Sequence, residues 1–273
     1  MNKRVFITGT SGFAGESLFK YLKKKNIKIT GTAFKNIKNK KDIKIDLTKK
    51  IKIKKNFDWI IHTAAHHKVE DFKNGANIKV RRNILMVKNL IDFLKNNRIR
   101  NFIFFSTIDI NYLPHLKKKN MYIKSKNFCE KLLLNALKKN FLKKLIVLRI
   151  PAIVGKNCGE NFIKNTLYNL KKNLPINIWN KNKKFNNLIH INDLNKLIFY
   201  FVSAQNSKDK VIVDCLSSKP MKLKNLVESL KKKLNSKSNI KYLNKKKKFK
   251  KIKFNPKINY EFFSVKKTIN LLF

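Results

Sequence analysis

Residues 8–15 read TGTSGFAG, directly behind the apolar run Val5-Phe6-Ile7. The chain holds seven glycines in 273 residues, and Gly9, Gly12 and Gly15 all fall in this one segment. A strand ending at Thr8, followed by three glycines and a helix, puts backbone N–H groups at the positive end of a helix dipole, where a phosphate is readily held. Glycine there serves a tight turn, close approach of backbone to ligand, or packing of helix on strand. The spacing is GxxGxxG rather than GxGxxG, so the segment alone leaves a phosphate cradle and a plain packing turn both open. The strand before it and the helix after it are the context that a cradle requires.

The rest of the chain repeats this alternation. Short β-branched or aromatic runs stand at 5–8, 27–32, 43–46, 59–63, 102–106, 145–149 and 211–214, with segments of helical period at 15–24, 76–96, 122–139 and 192–203. That is the pattern of a parallel sheet flanked by helices. Trp59-Ile60-Ile61 and Phe102-Ile103-Phe104-Phe105 are continuously apolar, as strands covered on both faces must be. Right-handed crossovers can close every connection, so an α/β fold with a doubly wound parallel sheet is expected. After Arg149 the chain is punctuated by Pro151, Gly155, Gly159 and Pro175. Residues 1–150 are therefore read as a nucleotide-binding core to which 188–214 return, and 151–187 with 215–273 as a smaller C-terminal lobe.

The formal net charge of +50 would by itself suggest a polyanion as partner. Only six of the 65 basic residues are arginine, however, and the lysines run from end to end. Lys, Asn, Ile and Phe, all with A/T-rich codons, are abundant together, so genome composition is the hypothesised source of the lysine. A phosphate reader favours Arg, whose planar fork grips in two places, and gathers its charge on one face. A solvated lysine surface is thus expected, without specific nucleic-acid recognition, drawing in anionic substrates in a salt-dependent way. The clusters at 231–233 and 245–248 are read as exposed helix or loop. Cys129, Cys158 and Cys215 have no metal or disulfide spacing. No apolar run reaches the ~18 residues of a membrane span. A soluble cytoplasmic protein is expected.

A second motif, Tyr122-Ile123-Lys124-Ser125-Lys126, sets a phenol and an ammonium one helical turn apart. A phenol with a pKa of about 10 is a poor base near neutrality, and a neighbouring ammonium favours the phenolate. Tyr122 is then able to exchange a proton with a substrate alcohol or ketone while hydride moves. In a lysine-rich chain this spacing also arises by chance. Ser106-Thr107, at the end of the 102–105 run, supplies the third partner, with Thr107 placed to hydrogen-bond the reacting oxygen. After the second strand, Gly31-Thr32-Ala33-Phe34-Lys35 lacks the acid that often binds an adenosine ribose. Lys35 suits a 2′-phosphate, so NADP is favoured over NAD. His62, His66 and His67 share no metal-ligand spacing with carboxylates or cysteines. His190 is read as structural and Asp193 as a helix-start acid.

These motifs, in this order, resemble the extended short-chain dehydrogenase/reductases, and within them the NAD(P)-dependent nucleotide-sugar epimerase, dehydratase and reductase group. The resemblance runs through TGTSGFAG, Asp46-Leu47, His62-Thr63-Ala64-Ala65, Asn83 opening NILMVKNLI, Ser106-Thr107, YIKSK, LRIPAIVG at 148–155 and LIHINDL at 188–194. It implies a Rossmann core and a substrate-binding C-terminal lobe. It also implies a pyrophosphate loop of Gly9, Ser11, Gly12, Phe13, Ala14 and Gly15, with Asp46 and Leu47 at the adenine and Ala64 and Ala65 flanking the dinucleotide. Thr107, Tyr122 and Lys126 match the catalytic trio, Lys126 also reaching the nicotinamide ribose, and Pro151 to Gly155 would lie near the nicotinamide. A homodimer built from two helices per subunit is implied as well.

The chain departs from this group at Ile108-Asp109, where similar 4,6-dehydratases carry Asp-Glu, so dehydration is disfavoured. Asn111 stands where many members have tyrosine. The expectation is an epimerase or 4-keto reductase acting on a nucleotide-sugar. The competing expectation is a non-catalytic protein of the same fold that holds RNA or another polyanion on its basic surface, which would have no need of the trio.

Overall fold

In the computed structural model of the protein, residues 3–37, 42–66, 76–115, 120–203, 209–244 and 258–273 are described. The elements are, in chain order, β1 (Arg4–Thr8), α1 (Phe13–Lys23), β2 (Lys28–Ala33), β3 (Asp42–Lys44), β4 (Trp59–His62), α2 (Ala76–Asn96), β5 (Asn101–Thr107), a 3-10 segment (Ile108–His115), α3 (Met121–Lys138) and β6 (Lys144–Ile150). There follow β7 (Ala152–Val154), α4 (Phe162–Lys171), β8 (Ile176–Trp179), β9 (Lys184–Phe185), β10 (Leu188–His190), α5 (Ile191–Ser203) and β11 (Lys210–Asp214). The chain ends with β12 (Met221–Lys222), α6 (Leu223–Lys233), β13 (Ile240–Leu243) and α7 (Val265–Asn270). Two units form, 1–149 with 195–214 and 150–194 with 215–273.

The first unit carries a seven-stranded parallel sheet in the order β11-β6-β5-β4-β1-β2-β3. β1 pairs in parallel with both β2 and β4. The chain therefore steps outward one way through β2 and β3, then returns to the other side of β1 for β4, β5, β6 and β11. A crevice opens where the order reverses, at the carboxyl ends of β1 and β4, and ligands of doubly wound sheets bind at that point. The glycine loop leaves β1 there.

The apolar runs form strands because both of their faces are covered. Phe6, Ile60, Phe102 and Phe104 of the sheet pack with Leu90 and Leu94 of α2 and Leu133 of α3 in one cluster. The Phe6 ring lies 5.0 Å from that of Phe57 and 5.5 Å from that of Phe93. Truncating a fully buried ring such as Phe6 to alanine costs about 3–5 kcal/mol. Tyr21 of α1 meets Phe199 of α5 edge-on at 6.2 Å, and Asn195 Nδ2 donates to Ser17 Oγ at 2.8 Å.

The second unit has its own core, which includes Val154, Ile163, Leu170, Ile178, Leu188 and Leu226. Three two-stranded ladders build it: β7 with β10, β8 with β13, and β9 with β12. The pairing of Leu188, Ile189 and His190 with Ala152, Ile153 and Val154 corrects the expected boundary. Residues 188–194 belong to this unit, and the return to the first begins at Asn195. Asp193 is fully buried, but it does not act as a helix-start acid alone. Its carboxylate accepts from the Tyr260 hydroxyl at 2.7 Å and from the Phe263 amide at 2.8 Å, tying the C-terminal segment to α5. Lys231, Lys232 and Lys233 end α6, whereas 245–248 lie outside the described residues. Among the described residues no helix is long and apolar enough to cross a membrane.

Candidate active site

The three loop glycines have different neighbours. Gly9 takes a left-handed φ of +77°, and a Cβ there would stand 2.8 Å from the Ala64 backbone. A Cβ on Gly15 would run into the Gly9 carbonyl and lie 2.8 Å from Thr63 Oγ1. Turn geometry and close packing thus account for both. Neither accounts for Gly12, which has an ordinary φ of −83° and whose Cβ would meet only the Gly9 oxygen, at 3.4 Å. Gly12 also caps α1 with no side-chain hydrogen bond to the first turn. The early N–H groups of a helix have no intrahelical acceptor, so this end suits a phosphate. The residues present therefore fit the pyrophosphate of a dinucleotide. Ser11, Phe13 and Ala14 surround Gly12 at the helix start, and the Gly9 amide is turned inward to the Thr32 carbonyl at 2.9 Å. Thr10 is buried and donates to Asp42 at 2.7 Å, fixing the loop to β3.

The loop after β4 lies against the same turn. Thr63 Oγ1 donates to the Thr8 carbonyl at 2.6 Å, and Ala64 crosses Gly9. Ala65 follows, half-buried, and Asn83 of α2 then grips the His66 backbone on both sides. It accepts from the His66 amide at 2.9 Å and donates to its carbonyl at 3.1 Å. At the ends of β2 and β3, Lys35 is exposed and Leu47 is buried. The Leu47 carbonyl accepts from Asn89 at 2.9 Å. Asp46 Oδ1 accepts from the Thr48 amide and hydroxyl at 2.9 and 2.7 Å. Burial pushes the Asp46 carboxyl up, but the Thr48 bonds and the Arg82 and Lys49 charges outweigh it, holding it below the usual range.

Thr107 closes β5, and Tyr122 and Lys126 occupy successive turns of one face of α3, which starts at Asn120 because that side chain accepts from the Ile123 amide. Lys126 is buried, and its ammonium donates to the Phe105 carbonyl at 2.6 Å. It lies 4.8 Å from the Phe104 ring centroid and 5.9 Å from that of Tyr122. Burial draws its pKa down to about 8, with Cys129 and Glu130 opposing. The expected effect on Tyr122 is reversed. Burial, and then the charge of Asp109, push the phenol well above its ordinary value, so Tyr122 holds its proton at neutral pH. Asp109 was legible only as a departure from the dehydratase pattern, yet it sits in the site. Thr107 Oγ1 donates to its carboxylate and accepts from its amide, each at 3.3 Å. Burial raises the Asp109 carboxyl, and the Thr107 bond partly offsets this.

The sequence model of the NAD dependent epimerase/dehydratase family matches residues 5–213. The chain belongs to this family. It is 25% identical over 233 residues to UDP-glucose 4-epimerase of Vibrio cholerae, covering 78% of this chain and 70% of that protein. Its fold is similar to that of Thermotoga maritima UDP-glucose 4-epimerase, solved with UDP-glucose. The TM-score is 0.80 at 14% identity, over 98% of this chain and 97% of that one. It is also similar to RMD from Pseudomonas aeruginosa complexed with NADPH, with a TM-score of 0.70 at 19% identity over 89% and 87% of the two chains. At these identities the solved structures establish the fold.

Within this member of the family, the groups around the trio form a network that sequence motifs did not foretell. Ser106 donates to Glu130 at 2.5 Å, and Arg149 donates to both Glu130 oxygens, at 3.2 and 2.8 Å. Arg149 also reaches Asn111 at 2.7 Å, and Asn111 donates to Asp214 at 3.0 Å. Asn111 is thus a bridge across the ends of β6 and β11. His62 is buried against Phe104 and bonded to Thr8 at 2.7 Å. Burial, joined by the Lys126 charge, draws its pKa down to about 3, so it is a neutral structural group. His190 is likewise buried, and burial lowers its pKa. Pro151 to Gly155 belong to the second unit, and His67 lies outside the described residues.

Proposed function

We propose that the protein oxidises and reduces a sugar carbon of a nucleotide-sugar beside a bound nicotinamide dinucleotide, as a 4-epimerase does. This reading is supported by Lys126, which lies 5.9 Å from the Tyr122 ring and bonds the Phe105 carbonyl of β5, and by Asp109, which Thr107 holds and whose charge acts on the Tyr122 phenol, at the same carboxyl edge of the sheet as the helix start at Gly12. The dinucleotide, when bound, supplies and takes up the hydride. Tyr122 moves the proton at its phenol oxygen, Thr107 orients the reacting sugar oxygen, and Lys126 sets the charge around the phenol. The second unit would hold the nucleotide-sugar. A cavity of about 490 Å³ there, lined by Lys184, Lys219, Lys222 and Lys266 with Asn225 and Ser264, suits a diphosphate. A cytoplasmic homodimer built from two helices per subunit completes the proposal, and analytical ultracentrifugation tests its assembly.

One observation favours a second reading, a reductase that consumes NADPH. Tyr122 keeps its proton in the protein alone, which equips it to donate to a ketone. Denaturing the purified protein and identifying any released dinucleotide by mass spectrometry separates the two. Retained NAD or NADP with no net consumption during turnover supports epimerisation, and stoichiometric loss of NADPH supports reduction. A protein that binds no dinucleotide but holds RNA tightly at physiological salt would refute both.

A further inference from the structure

The strand order fixes which end of a dinucleotide goes where. With its pyrophosphate at β1 and its reactive end toward Thr107 on β5, the adenosine end faces the ends of β2 and β3. The sequence offered Lys35 as the cation there. The structure brings in another from far along the chain. Arg82 of α2 touches the segments after β2, β3 and β4 at once. Its guanidinium carbon is 5.5 Å from the centroid of the Phe34 ring, its Nη2 is 3.6 Å from Asp46 Oδ1, and its Nε donates to His66 Nε2 at 3.3 Å.

These contacts aim the guanidinium without saturating it. An approach of 3.6 Å is beyond hydrogen-bond length, and the Asp46 oxygen concerned already accepts twice from Thr48. Arg149 shows the opposite case, with two nitrogens bonded to Glu130 and the third to Asn111. Arg82 keeps forked donors able to take two oxygens of one phosphate, which a lysine cannot do. Phe34 beneath it is 49% exposed, a flat apolar surface beside the cation. In a chain that uses arginine six times among 65 basic residues, one stands here; no acid lies at 34–41 after β2, and the Asp46 carboxylate beside the guanidinium is a charge that a bound phosphate has to outcompete.

We infer that Arg82, rather than Lys35, reads the adenosine 2′-phosphate of the dinucleotide, and that the protein consequently prefers NADP(H). This rests on the dinucleotide site proposed above. The test is fluorescence titration of the full chain with NADPH and with NADH, and displacement of NADPH by adenosine 2′,5′-bisphosphate, for the wild type, Arg82→Gln, Arg82→Lys and Lys35→Gln. Loss of a bidentate charged contact is expected to weaken NADPH binding by about 10–100-fold in Arg82→Gln, with NADH changed by less than about 3-fold. Arg82→Lys should fall between, and Lys35→Gln should change either affinity by less than about 3-fold. Equal affinity of the wild type for the two dinucleotides would overturn the inference while leaving the dinucleotide site standing. So would an equal loss of both in Arg82→Gln, or a selective loss in Lys35→Gln. Failure of the wild type to bind either would overturn the proposed function and this inference with it.

Discussion

Replacing the three loop glycines one at a time separates what the fold requires from what a ligand requires. Gly9→Ala forces a side chain into the left-handed region, at about 1–2 kcal/mol. It also sets a Cβ 2.8 Å from the Ala64 backbone, an overpacking worth about 1–3 kcal/mol. With about 2–4 °C of melting temperature per kcal/mol for a unit of this size, the loss is roughly 4–20 °C. Gly15→Ala has no left-handed cost, but its Cβ runs into the Gly9 carbonyl, for roughly 1–3 kcal/mol. At Gly12→Val the Cβ meets only one atom, at 3.4 Å, on a backbone that valine tolerates, so stability should stay within about 0.5 kcal/mol. The branched side chain would instead fill the space above the helix start. If one N–H bond to a charged phosphate is lost, about 1.5–3 kcal/mol, NAD(P)H binds about 10–100-fold more weakly. Thermal melting and fluorescence titration read the two quantities independently. Gly12→Val binding dinucleotide with wild-type affinity would refute the cradle. Gly12→Val melting as low as Gly9→Ala would show that the fold alone demands this glycine.

Tyr122→Phe should leave dinucleotide affinity unchanged and reduce turnover by about 100-fold or more, since it deletes the proton donor and spares the ring; undiminished turnover would exclude Tyr122 as the acid. Asp109→Asn removes a negative charge that raises the Tyr122 phenol, so the alkaline limb of the kcat/KM profile should move to lower pH, and an unmoved limb would deny the coupling. Lys126 titrates at about 8 in the fold against 10.5 in the free chain, so between these values the unfolded chain binds more protons and stability rises with pH. Wild type should therefore gain on Lys126→Met across that window in chemical denaturation, and a pH-independent difference would contradict the assignment. Glu130→Gln leaves the largely buried Arg149 short of its partner and should cost about 2–4 kcal/mol, much of it recovered when Arg149→Met is added.

Much of the first unit was legible because its strands are apolar on both faces and its helices are long. β1, β4 and β5 lie where the runs at 5–8, 59–63 and 102–106 put them, and α2 spans the expected 76–96. The second unit was not legible, for a physical reason. β9 and β12 are two residues each, β7 and β10 three, too short to display a period, and their identity as strands comes from long-range pairing alone. The boundary at 188 failed on that ground. In the site, the i and i+4 spacing of Tyr122 and Lys126 read correctly as one helix face. The state of the phenol did not, because it depends on burial and on Asp109, which reaches the site through the 3-10 segment after β5. Arg82 was invisible for a similar reason, since it sits far along the chain from Phe34 and meets it only when β2, β3 and β4 are side by side.

The composition looks different once the bonds are known. A chain with 65 basic and 15 acidic residues has few carboxylates to place, and several of them are bonded within the fold. Asp42 holds the glycine loop, Asp46 orders the turn after β3, Asp193 ties down the C-terminal segment, and Glu130 joins β5 to β6 through Arg149. Arginine follows the same rule at Arg149, whose fork joins Glu130 to Asn111, while most lysines face solvent and Lys126 is a buried exception. In a sequence so dominated by one residue type, the informative positions are those where the rarer choice persists: a glycine at a helix start that neither its φ nor close packing requires, an arginine among lysines, an aspartate beside a phenol.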